Sequence, residues 1–177
     1  MQTHNEIVSF LWGTANLIRD SFKRGKYQDV ILPFTVLRRI DSVLKPTKDE
    51  VLQAYHTYKD ELDNLDGLLR KKAGYAFYNT SNYTFERLLQ EDPSQLAANL
   101  KAYIAGFSPN MRDVVDTFDF RNTIDKLTQA GLLFQVMERF NTVCRVSPCR
   151  SLSPTIFRKS PVGANIASVV LFQGTTL

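Results

Sequence analysis

Few side chains in this sequence could do chemistry unaided. His4 and His56 are the only histidines, and Cys144 and Cys149 the only cysteines. The two thiols could supply half of a zinc site, but no second ligand pair accompanies them, so they read as free thiols in a loose tail. Each histidine stands apart from any acid or nucleophile at a recognisable spacing and reads as a surface or half-buried residue. No phosphate-binding glycine loop and no Ser/His/Asp arrangement is apparent. Asp41 is different. On a helical wheel it falls amid Val30, Phe34 and Leu37, on an apolar arc. A carboxylate there must find partners, so an internal ion pair or a cap on a neighbouring helix is expected of it, rather than catalysis.

Binding features are more numerous. Arg19, Lys23, Arg24 and Lys26 cluster at the end of the first expected helix. Arg38 and Arg39 lie on the second, and Arg70, Lys71 and Lys72 close the third. Lys23, Arg24, Lys26, Arg38, Arg39, Arg70, Lys71 and Lys72 are the candidates for contact with DNA phosphates, which give affinity without sequence reading. The competing reading is a set of solvated helix ends, where positive charge complements the helix dipole. For Arg38, pairing with Asp41 three residues on is the competing reading. Trp12, Tyr75, Phe77 and Tyr78 are candidates for an interface patch, and core packing competes for them.

The overall charge of +4 points weakly to nucleic acid, because it is unevenly distributed. Residues 1–143 carry 18 basic and 18 acidic side chains, and the excess comes from Arg145, Arg150, Arg158 and Lys159. The body is therefore neutral, and a pI near 9.1 says little about it. It holds no cysteine and no run of about 18 apolar residues, so neither a disulfide scaffold nor a membrane span is expected. The amphipathic, acid-containing start is unlike a secretory signal, which makes a cytoplasmic location the expectation.

Helices must position these residues. Apolar periodicity predicts one from about Asn5 to Arg24, with Ile7, Phe10, Leu11, Leu17, Ile18 and Phe22 on one side and Trp12 beside that stripe. A second, capped by Asp29, spans Val30 to Leu44 with a wide apolar arc and Pro33 in its first turn. Thr47 to Glu50 reads as a capping box opening a third, which runs to Gly74. Residues 73–85 form an aromatic loop with at most a short strand. Further helices are predicted at about 84–91, 94–105, 109–118, 123–130 and 132–142. The expected fold is all-α, a compact bundle of about seven or eight helices. Past Val143 the texture changes to a Ser- and Pro-rich stretch without acids, where periodicity stops. Residues 144–177 are expected to be a non-homologous tail, either a disordered linker or, as the apolar run Val169 to Phe172 favours, a frameshifted end.

These segments carry a resemblance. FLWGTANLIRDSFKRGKYQDVILPFTVLRRID (10–41) resembles the opening of type I restriction–modification modification (M) subunits. YAFYNTSNYTFERLL (75–89), LAANLKAYIAGFSPNMRDVVDTFDF (96–120) and LLFQVMERFNTV (132–143) are similar to later segments of their amino-terminal helical domain, in the same order. The resemblance covers 1–143. It implies a DNA-clamping and subunit-assembly domain. Its enzyme transfers a methyl group from S-adenosylmethionine to adenine N6, working on DNA with a specificity (S) subunit, a second M subunit and restriction (R) subunits. Such chemistry needs a glycine-rich cofactor turn and an Asn/Asp-Pro-Pro-aromatic loop to hold the target base. The chain has neither. Asp92-Pro93 is followed by Ser94 and reads as a helix cap. The chain alone is therefore expected to be inactive, without cofactor, catalytic or metal site, and truncated before the catalytic domain. A free-standing helical interaction module with no nucleic-acid role is the alternative.

Overall fold

The computed structural model describes residues 4–62 and 64–146, apart from the side chains of residues 4, 7, 24 and 143–146. The expected tail thus lies almost wholly outside the described residues. These form an all-α bundle: α1 (His4–Ile18), α2 (Gln28–Leu44), α3 (Lys48–Tyr58), α4 (Asp66–Ala73), the single-turn α5 (Phe85–Leu88), α6 (Leu96–Ala105), α7 (Pro109–Thr117), α8 (Phe120–Gln129) and α9 (Leu133–Val146).

The wide apolar arc of α2 makes it the central helix. Phe34 is fully buried, edge-on to Phe120 of α8 at 4.9 Å and stacked on Phe140 of α9 at 5.4 Å. Helix α2 starts two residues earlier than expected, so Pro33 sits beyond the first turn. The proline has no N–H to give to the Asp29 carbonyl. The Thr123 hydroxyl of α8 reaches that carbonyl at 3.5 Å instead.

Three expected helices are shorter, the one at about 84–91 being cut to the single turn of α5. The first stops at Ile18, and a turn with a 3₁₀ segment at Arg24–Lys26 returns the chain to α2. Leu11, expected on the buried stripe, is 40% exposed, whereas Ile18 is buried and Phe10, Leu17 and Phe22 are half-buried. The expected third helix is a hairpin of α3 and α4. Asp and Asn favour local side-chain bonds over helical continuation, and Asn64 Oδ1 accepts the Asp66 N–H at 3.0 Å. Reversal there lets Leu69 and Ala73 reach the core. The capping box is not formed. The Thr47 hydroxyl donates to the Ala73 carbonyl at 3.2 Å and ties the hairpin ends together. Gly74 and Gly131, at φ +72° and +68°, end α4 and separate α8 from α9.

The aromatic segment crosses the end of α6. Asn79 and Phe107 form an isolated antiparallel bridge. The Thr80 N–H donates to the Gly106 carbonyl at 2.8 Å and the Ser108 N–H to the Tyr78 carbonyl at 3.0 Å. A Cβ on Gly106 would lie 2.7 Å from the Ser81 nitrogen, so only glycine permits this approach.

Candidate functional site: a buried polar joint and an exposed groove

The charged residues separate into two environments. The first is internal. Arg38 and Asp41, one helical turn apart on α2, are 5% and 6% exposed, and Arg38 Nη1 donates to Asp41 Oδ2 at 2.9 Å. The other carboxylate oxygen accepts the Phe85 N–H at 3.1 Å and the Tyr103 hydroxyl at 3.0 Å. Asp41 is therefore both an ion-pair partner and the acceptor for the first amide of α5, as its place on the apolar arc suggested. The Arg38 guanidinium lies over the Phe85 ring, 5.5 Å from its centroid.

Beside this pair lies a second buried charge that the sequence reading missed. Lys48 Nζ donates to Asn79 Oδ1 at 3.1 Å and sits 5.6 Å from the Tyr103 ring centroid. Asn79 Nδ2 donates to the Tyr103 carbonyl at 2.9 Å. Burial pulls the Lys48 ammonium down to about 8, against the opposing pull of Asp41 and Asp49. Burial and the neighbouring Asp41 hold the Tyr103 phenol well above its ordinary value. This joint connects α2, α3, the aromatic segment, α5 and α6. The advance signals were Asp41 on its apolar arc and its spacing of three from Arg38; Lys48 and Asn79 lie in segments whose burial is set by distant parts of the chain.

The structure places three of the candidate positions inside the bundle. Arg38 is held inside by Asp41 and cannot meet a phosphate without breaking a buried pair. Phe77 and Tyr78, proposed for an interface, are 5% and 8% exposed and belong to the core. Tyr75 is half-buried and stacks on Phe77 at 5.7 Å. Arg39 is half-buried and has an interaction of its own. Arg70 pairs with Asp66 one turn back, at 2.7 Å. Lys71 and Lys72 are exposed at the end of α4. The side chain of Arg24 lies outside the described set.

The second environment is an outer surface. Val8, Leu11 and Trp12 share one face of α1 and are 37%, 40% and 68% exposed. Next to them, α1 and the turn that follows enclose an open groove of about 1000 Å³, lined by Trp12, Asn16, Arg19, Phe22, Lys23 and Tyr27 among others. Arg19 is 3.6 Å from the neighbouring Asp20, and Lys26 is 3.0 Å from Asp29; all but Asp29 are largely solvated. Among the described residues, no group of three or more His, Cys, Asp or Glu could hold a metal ion. No helix there is long and apolar enough to cross a membrane.

Comparison with curated proteins and with solved structures finds no match. A family model does match. Described as the HsdM N-terminal domain, it covers residues 7–140, taking in most of α1, the whole polar joint and the Phe140 contact of α9 with α2. The chain therefore belongs to that family, as an amino-terminal domain of a type I restriction–modification modification subunit.

Proposed function

We propose that this domain clamps DNA and docks partner subunits for a type I methylase. Methyl transfer from S-adenosylmethionine to adenine N6 is then performed elsewhere in the assembled enzyme. The observation that carries the reading is the outer surface of α1, where the exposed apolar face meets Arg19 and Lys23 in a chain of this family. An exposed apolar face suits subunit contact. Solvated cations such as Lys23, Lys71 and Lys72 suit phosphate contact. The proposed partners are DNA, the specificity subunit, a second modification subunit and the restriction subunits. The residues present do not fit S-adenosylmethionine. The 177 residues contain no glycine-rich turn of the cofactor-binding type and no Asn/Asp-Pro-Pro-aromatic loop, so this domain's role is to bind and position.

The test is reconstitution with the specificity subunit and the remainder of the modification subunit, followed by DNA titration over a salt series. Lys71→Ala with Lys72→Ala is expected to lower the log–log salt slope by about 1.8 if each lysine neutralises one duplex phosphate, with sequence preference unchanged. A reconstituted complex whose DNA affinity ignores this domain's lysines and salt would overturn the clamping role. The balance of 18 basic and 18 acidic side chains over residues 1–143 favours a second reading, an interaction module without a nucleic-acid role. That reading expects subunit capture to persist while the salt slope stays unchanged.

A further inference from the structure

The groove beside α1 combines features that duplex-backbone contact does not require. Trp12 is 68% exposed, an unusual position for the largest apolar side chain and the only tryptophan of the chain. It shares the groove with two further aromatics, Phe22 and Tyr27, and with Arg19 and Lys23. Among the described residues, Asp20 is the one carboxylate lining it, and it lies against Arg19. The Asn16 side chain, also lining the groove and exposed, offers both a donor and an acceptor. An aromatic platform with flanking cations is how proteins hold unpaired nucleotides: the ring stacks on a base, and the cations follow the phosphates. A base inside a duplex presents no free face to such a ring.

We propose that this groove binds an unpaired stretch of nucleic acid strand, with Trp12 stacking on a base and Arg19 and Lys23 contacting its phosphates. The inference rests on the DNA-binding reading above and narrows it to one surface and one strand state. The cations favour a nucleic acid over an apolar protein segment as the occupant. Docking of a second copy of the chain is the competing outcome.

Because Trp12 is the sole tryptophan, its emission reports on this groove alone. The experiment titrates the full chain with a short oligothymidylate and, separately, with a duplex of the same length, following Trp12 fluorescence. Binding of the same labelled oligonucleotides is followed by anisotropy. The expected result is quenching of Trp12 that saturates, at lower concentration for the single strand than for the duplex. Trp12→Ala should weaken single-strand binding about tenfold, as the loss of one base stack does. Lys23→Ala should lower the salt slope by about 0.7, the value for one phosphate on a single strand. Both side chains are exposed, and unchanged thermal unfolding confirms that the variants fold.

Four results would overturn the inference. If DNA binds without altering Trp12 emission, and Trp12→Ala binds equally well, the DNA surface lies elsewhere and the clamping role survives. If the duplex quenches Trp12 more strongly than the single strand, the strand state is wrong. If emission shifts with protein concentration alone, a second copy covers the groove. Failure of both strands to bind, in the chain and in the reconstituted complex, removes the DNA-binding reading as well.

Discussion

Arg38 and Lys23 look alike in the sequence, each a cation close to others on or near a helix, yet the molecule uses them in opposite ways. Arg38 lies on the inner face of α2, 5% exposed, with its charge matched by Asp41. Lys23 stands in solvent at the rim of a groove. A buried ion has lost its water and depends on its partners, so removing one partner strands the other. An exposed ion keeps its water and contributes little to folding. The polar joint should therefore govern stability and the α1 surface should govern binding.

The largest test of that contrast is Asp41→Ala. It leaves the Arg38 guanidinium, the Tyr103 hydroxyl and the Phe85 amide without their shared acceptor. The expected loss is about 3 kcal/mol or more, seen as a melting temperature lower by roughly 10 °C. A shift of only a degree or two would mean that the joint is not strongly coupled to folding.

Gly106→Ala should come next. The added methyl would meet the Ser81 backbone at 2.7 Å, forcing apart the pairing of Asn79 with Phe107. Overpacking of this kind costs about 1–3 kcal/mol. Chemical denaturation would measure it, with an unchanged m-value confirming that only stability has moved.

The pH dependence of stability sharpens the comparison further. Lys48 releases its proton near pH 8 in the folded protein and near its ordinary 10.5 in the unfolded chain. Between these values the unfolded chain binds the extra proton, so stability rises with pH. Tyr103 opposes this at higher pH, since the unfolded phenol ionises near 10 while the folded one stays neutral. Stability should climb by about 2 kcal/mol from pH 8 towards 10, then fall. Lys48→Met should remove the climb and retain the fall. A climb that persists in Lys48→Met would assign it to another group.

The smallest expected effect belongs to the outer surface. Trp12→Ser should change stability by less than about 0.5 kcal/mol, despite the size of the side chain removed. Differential scanning calorimetry of the variant beside the parent chain would settle it. A loss comparable to that of Asp41→Ala would place Trp12 in the fold rather than on a binding face.

The helical class, most of the later helices and the wide buried arc of α2 were legible in the sequence, because those depend on apolar spacing within a single segment. Pro109 at the start of α7, the bond from the Ser94 N–H to Asp92, and the break at Gly131 are local effects of the same kind. Asp41 was legible because a carboxylate on an apolar arc conflicts with its surroundings. Its partners Phe85 and Tyr103 were not, since they lie 44 and 62 residues away. Tertiary structure alone decided the rest. The break between α3 and α4 depends on what the hairpin can bury, not on a Gly or Pro stop signal between them. The split between Arg38 inside and Lys23 outside depends on which helix face the neighbouring elements cover. Even the exposure of Trp12 could not be read from periodicity, which gives the direction of a side chain around its own helix but not what lies opposite it.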